Sequence, residues 1–201
     1  MGLDATQSKG RINLEKAQVL IVESNQQGMD ILSQVLSGFG VRGHHKCESI
    51  AAAWEVVKTV ELDLIVCASN LSDGDGFDFI SELRKANLDP NRYASVVVIT
   101  GHTPMSQVRK ARDCGANMVV AKPITPTVLL QRIVWIAKEP RAFIECDVYT
   151  GPDRRFQNLG PPPGMEGRRR DDLPLEIGEA ATPNLVQDDI DAMLTRKKAF
   201  T

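Results

Sequence analysis

Four short stretches of this sequence set chemistry-bearing residues directly after apolar runs. Gln18–Val22 leads into Glu23-Ser24-Asn25, and Leu64–Cys67 into Ala68-Ser69-Asn70-Leu71-Ser72-Asp73-Gly74-Asp75-Gly76. Ser95–Ile99 ends at Thr100, and Asn117–Val120 runs into Ala121-Lys122-Pro123. A carboxylate, a hydroxyl and an ammonium gathered in one place allow two kinds of chemistry. Glu23 and Lys122 can pair across a closed pocket, or Lys122 and Thr100 can hold an anion or small acidic ligand, since a buried ammonium without a counter-charge is costly. Either outcome needs a fold that brings four distant loops together.

The intervening periodicity supplies such a fold. Gln18–Val22, Leu64–Cys67 and Ser95–Ile99 are continuous apolar runs, the pattern of strands covered on both faces. Val41–Cys47 and Asn117–Val120 are weaker strand candidates. Helical spacing lies between them: Met29, Ile31, Leu32, Val35 and Leu36 share one face, and similar patterns cover 50–60, 77–85, 105–114 and 127–137. Strands alternating with helices, five of each, predict an α/β fold with a five-stranded parallel sheet and helices on both faces. In such sheets the crevice lies beyond the carboxyl ends of the strands. The four loops are therefore expected to meet there.

Thr100, the Lys122-Pro123 pair and the Asp75-Gly76-Phe77 triplet, taken at their spacing, resemble the receiver domain of two-component response regulators, over residues 17–139. The resemblance implies a flavodoxin-like, receiver-type fold and a cis bond between Lys122 and Pro123, an isomer that X–Pro bonds adopt readily. It also implies a carboxylate nucleophile at the end of the third strand. In the family that aspartate accepts a phosphoryl group, with Mg²⁺ held by it and by two acids after the first strand. The family's lysine contacts the phosphoryl oxygens and its threonine or serine senses them.

Counting back from Asp75-Gly76 puts the acceptor position on Ala68, which has no oxygen to phosphorylate. A register slip of two gives Val66 or Asn70, which serve no better. Of the acid pair only Glu23 remains, its second member being Ser24, and the switch position three before Lys122 is Val119. The expected pocket is thus a degenerate one of Glu23, Ser24, Ala68, Thr100 and Lys122, with no catalytic residue, no metal and no cofactor. The expected function is a non-catalytic pseudo-receiver acting as a protein-interaction adaptor.

Composition changes near Pro140. Residues 157–183 are rich in Pro, Gly and charge, the make-up of a linker. Basic and acidic residues number 15 and 15 through Glu139 but 9 and 11 beyond it, so the acidic excess lies in the tail. The expected organisation is an N-terminal extension (1–16), a receiver-like domain (17–139), a docking segment (140–156), the linker, and an amphipathic helix (184–198). In the docking segment Phe143, Tyr149 and Phe156 are expected to pack on the domain.

The last segment carries Val186, Ile190, Met193 and Leu194 on one helical face, with Asn184 placed as N-cap, acids early and basic residues late. A helix this short is marginal alone and favours a groove. It resembles the LSQDEIDALL-type peptide of the flagellar motor switch protein that docks on the chemotaxis regulator, with Val186 for serine, Asp189 for glutamate and Met193 for leucine. This implies a protein partner in motility or chemotaxis (a response regulator or a motor component), or docking onto its own domain. A rival reading uses Arg154, Arg155, Arg168, Arg169 and Arg170 as guanidinium forks for a cyclic dinucleotide. A second rival is a phosphorylatable regulator, against which Ala68 stands.

Other classes are excluded by what the sequence lacks. No run approaches the ~18 apolar residues of a membrane span. Cys47, Cys67, Cys114 and Cys146 are scattered without metal spacing, as expected of reduced thiols in a cytoplasmic protein. His44 and His45 are adjacent, so on a strand they face opposite sides and share no ligand. A DNA-binding output is disfavoured, because the tail has no helix-turn-helix pattern and its basic clusters are diluted by acids.

Overall fold

The computed structural model describes residues 14–138, 141–154, 186, 187 and 190. The linker, Phe156, Arg155, Arg168, Arg169, Arg170, Asn184, Met193 and Leu194 lie outside the described residues. The chain runs β1 (Gln18–Val22), α1 (Gln26–Gly38), β2 (Gly43–Cys47), α2 (Ile50–Thr59), β3 (Leu64–Ala68), the two-residue strands β4 (Asn70–Leu71) and β5 (Gly74–Asp75), and α3 (Gly76–Lys85). It continues with β6 (Ser95–Thr100), α4 (Met105–Asp113), β7 (Met118–Ala121), α5 (Pro126–Lys138), β8 (Phe143–Cys146) and β9 (Tyr149–Pro152). The main sheet is parallel with order β2-β1-β3-β6-β7. Strand order reverses between β1 and β3, so a crevice opens at their carboxyl ends, where Glu23 and Ala68 stand.

The apolar runs of β1, β3 and β6 are buried almost throughout, because helices cover both faces. Polar side chains start the helices. Asn25 Oδ1 accepts the N–H of Gly28 at 2.8 Å, Ser49 Oγ that of Ala52 at 3.2 Å, and Asp75 Oδ1 that of Phe77 at 2.7 Å. β2 is shorter than the sequence suggests, beginning at Gly43. Val41 is buried, yet its N–H turns back to Leu36 O at 3.1 Å, closing α1 through Gly40 at φ +92°. That N–H is therefore spent before the sheet begins.

Two buried polar residues fasten the ends of the strands remote from the crevice. Asn91 accepts from Leu62 N at 2.8 Å and donates to Val57 O and Val60 O at 2.7 and 2.6 Å. Arg84, 1% exposed, spreads its guanidinium over Gly115 O (3.0 Å), Arg92 O (2.6 Å), Ala94 O (2.8 Å) and Asn117 Oδ1 (3.2 Å). Burial pulls its pKa down to about 10, so it keeps its charge at neutral pH.

Residues 143–152, expected only to dock, form an antiparallel hairpin. Phe143 meets Tyr93 edge to face at 4.7 Å, and Tyr149 is buried with its hydroxyl donating to Pro152 O at 2.6 Å. Arg92–Glu145 (2.7 Å) and Arg154–Asp113 (2.8 Å) pin the hairpin to the body. The Lys122–Pro123 bond is cis, and so is Asp89–Pro90. Among the described residues no helix is long and apolar enough to cross a membrane.

Candidate functional site

Glu23 follows the last residue of β1 and is held inward by the sheet: its side chain is 3% exposed. Lys122 follows β7 and brings Nζ to 2.8 Å from Glu23 Oε2, with 38% of its side chain open to solvent. The other carboxylate oxygen, Oε1, accepts the Asn25 N–H at 3.1 Å. Both oxygens of the one acid in the crevice are thus engaged. Gly28 faces the same carboxylate, and a Cβ built there would lie 3.1 Å from Glu23 Cγ and Cδ. The first turn of α1 therefore closes over this group.

Ala68 ends β3 as a buried methyl. Its carbonyl lies against Gly76, where an added Cβ would stand 2.0 Å from Ala68 O, so only glycine fits at the start of α3. Gly76 N–H donates to Ser69 O at 2.9 Å, and Asp75, besides capping α3, takes Lys110 Nζ at 2.6 Å. The Asp75-Gly76 pair that anchors the sequence comparison is thus a turn-and-cap device. Asp73 accepts the N–H groups of Ile50 and Ala51 at 2.9 and 3.1 Å, tying the loop to the start of α2, and these bonds hold its carboxyl below the ordinary value.

Thr100 is buried at the end of β6. Its hydroxyl donates to His102 O at 2.9 Å and accepts His102 N–H at 3.2 Å, so it serves its own loop. Ser24 and His102 are exposed. Beside Lys122, on the α1–α5 side, lies a cleft of about 260 Å³ walled by Gly28, Ile31, Pro123 and Ile124. Asn25, Gln27 and Lys122 complete its lining; the surface is mainly apolar, and its one cation, Lys122, is already paired with Glu23.

These residues do not fit Mg²⁺. A hard cation requires several oxygen ligands, and the crevice offers one carboxylate already bound to an ammonium and a backbone N–H. Among the described residues no group of three His, Cys, Asp or Glu side chains could hold a metal. Neither histidine of β2 is placed for one: His44 Nε2 lies 2.9 Å from Ser33 Oγ and His45 Nε2 3.4 Å from Gln18 Oε1. Three of the four cysteines are buried, and burial raises the thiol pKa of Cys47 and Cys67; it pushes that of Cys114 up to about 12.

At the far edge of the sheet a second set of contacts appears. Gln187 accepts the Ala121 N–H at 2.8 Å and donates to Val119 O at 3.2 Å, and Ile190 is 0% exposed within the core. Val186 departs from expectation: it is 63% exposed. Gln187, one position on, takes the strand edge and turns the contact stripe to 187 and 190, leaving Val186 outward. Sequence reasoning passed over Gln187, although it stands three residues before Ile190 on the same helical face. Arg154, a candidate nucleotide ligand, has its guanidinium 4.1 Å over the Tyr149 ring and bonded to Asp113.

The fold is that of a receiver. Residues 19–134 match the profile of the response regulator receiver domain, and the chain belongs to that family. It is similar to the KDP operon transcriptional regulatory protein KdpE of Escherichia coli K12, 33% identical over 105 residues, which are 52% of this chain and 44% of that protein. The chain thus spans less than half the length of that relative. It is also similar to a probable chemotaxis protein CheY of Rhizobium etli, 27% identical over 112 residues, 55% of this chain and 84% of that one. Among solved structures, a two-component response regulator from Clostridium difficile superposes with a TM-score of 0.57 at 19% identity, covering 63% of this chain and all (100%) of that one, a likeness of fold.

Proposed function

We propose that this receiver domain is a pseudo-receiver: it takes no phosphoryl group and acts as a cytoplasmic protein-interaction adaptor rather than an enzyme. Ala68 at the acceptor position carries the reading, since a methyl group cannot form an acyl phosphate. The Glu23–Lys122 pair supports it, because the ammonium that would meet phosphoryl oxygens already has a counter-ion. The tail segment around Val186, Ile190, Met193 and Leu194 is the protein-binding element. Its resemblance to the motor-switch peptide and the chemotaxis relatives favour a partner in chemotaxis or motility.

The test is phosphoryl uptake. The intact chain, given acetyl phosphate or beryllofluoride with Mg²⁺, is expected to show no added mass and no amide shifts at 23, 68, 100 or 122. The Ser24→Asp/Ala68→Asp double variant is the positive control for the scaffold. An acyl phosphate on the unmodified chain refutes the proposal.

A further inference from the structure

β7 is the last strand of the sheet, paired on one side only. Lys122 N–H points inward to Thr100 O at 2.8 Å. The alternate groups, Asn117 O, Val119 O and Ala121 N–H, face outward, and such unpaired edge groups invite association with another chain. Here they are met by residues from beyond α5. Arg141 donates to Asn117 O, and the Gln187 amide bridges Val119 O and Ala121 N–H. Ile190 N–H bonds Val186 O at 3.2 Å, a helical i to i−4 step, and it sets Gln187 and Ile190 on one face.

We infer that the segment around Gln187 and Ile190 is an intramolecular latch: it occupies the outer edge of β7 in the free protein, and the face carrying Gln187 and Ile190 is available to a partner only when it leaves. Two features make the contact specific. A primary amide reproduces the donor-and-acceptor pattern of a missing strand, so Gln187 satisfies both polar groups at once. Ile190 is fully withdrawn from water, whereas Val186 remains outside. Thirty-one residues join Arg154 to Val186, and covalent tethering on that scale gives an effective concentration on the order of millimolar. A competitor must therefore offer an amide side chain and a branched apolar one at the same spacing, or capture the released face elsewhere. The inference rests on the tail being the binding element and not on the absence of phosphorylation. A phosphorylated pocket would refute the pseudo-receiver and leave the latch standing.

The experiment is amide hydrogen exchange on the ¹⁵N-labelled full chain, read at Ala121. Gln187 is the partner that shields this N–H, so exchange is expected to accelerate about tenfold or more in Gln187→Ala and in Ile190→Asp, with the Val97 and Val120 amides unchanged. Unchanged exchange at Ala121 in both variants overturns the latch. Protection is also expected to persist on dilution across about two orders of magnitude, as an intramolecular contact requires; protection lost on dilution assigns the contact to a second copy and overturns it. A labelled synthetic peptide of residues 183–198 is expected to bind the Ile190→Asp chain about tenfold or more tighter than the unmodified chain. Equal binding to both, or none to the variant, counts against the inference.

Discussion

Replacing Glu23 by Gln and Lys122 by Met, singly and together, measures how far the old crevice has become a closed ion pair. The Nζ–Oε2 distance is 2.8 Å. Coulomb's law at that separation gives about 1.5 kcal/mol in bulk water and about 6 kcal/mol at an effective dielectric of 20. Glu23 is almost wholly buried and loses hydration, while Lys122 is more than a third open and is screened, so most of the larger figure is offset. A coupling of about 1.5–2 kcal/mol remains. The amide oxygen of Gln can replace the carboxylate oxygen that accepts Asn25 N–H, so the swap removes charge more than shape. The assay is urea denaturation of the four proteins at pH 7, with coupling taken as the non-additive part of the stability changes. It should shrink only modestly at high salt, because one partner is buried. A coupling below about 0.3 kcal/mol would mean that Lys122 and Glu23 are neighbours without being partners, and the closed-pocket argument would fail.

Three further outcomes follow from the described contacts. Arg84→Met should cost about 3–5 kcal/mol in urea unfolding, since the buried carbonyls of Gly115 and Ala94 and the half-buried one of Arg92 lose their guanidinium donor, while Asn117 Oδ1 keeps the Val96 N–H; a loss under about 1 kcal/mol would refute its fastening role. Phe143→Ala should cost about 2 kcal/mol and lower the melting temperature, a fall that ending the chain after Pro140 should equal or exceed; an unchanged melting point would show that the hairpin adds nothing. His44, its pKa held below 6.5 by burial first and by Lys46 and His45 after it, binds a proton more readily unfolded than folded. Its contribution is therefore complete above 6.5 and is lost as pH falls from 6.5 through the lower folded value; an NMR titration of His44 with a midpoint at or above 6.5 would contradict this.

The sheet was legible because burial on both faces writes itself as uninterrupted β-branched runs, as in Gln18–Val22 and Ser95–Ile99. The crevice residues were legible because the end of a parallel strand is also the edge of its apolar run. What escaped were groups whose role lies in long-range hydrogen bonds. Val41 has the side chain of a strand residue, but its N–H closes α1. Arg84 sits on the apolar stripe of α3, seven residues from Phe77 and four from Ile80, so helical spacing alone places it inward. Charge argued otherwise, and nothing local shows that Gly115, Arg92 and Ala94 turn their carbonyls toward it. The hairpin at 143–152 has alternation too short to read without the β6 and β7 ends that it covers.

β7 joins the two halves of the functional argument. Its outward Ala121 N–H is held by Gln187, and the next residue carries the ammonium paired with Glu23. In a working receiver a phosphoryl group would draw on the lysine and on the hydroxyl at the end of β6, and such a pull would be felt one residue from the tail contact. Here Lys122 is neutralised by a resident carboxylate and Thr100 is bonded within its own loop. Under the pseudo-receiver reading, the crevice therefore has no ligand-driven means of shifting β7, and the tail contact is governed at the edge itself. Release then follows mass action between the tethered segment and a competitor, so the concentration of the partner, and not a covalent mark on this chain, sets how much of the tail face is free.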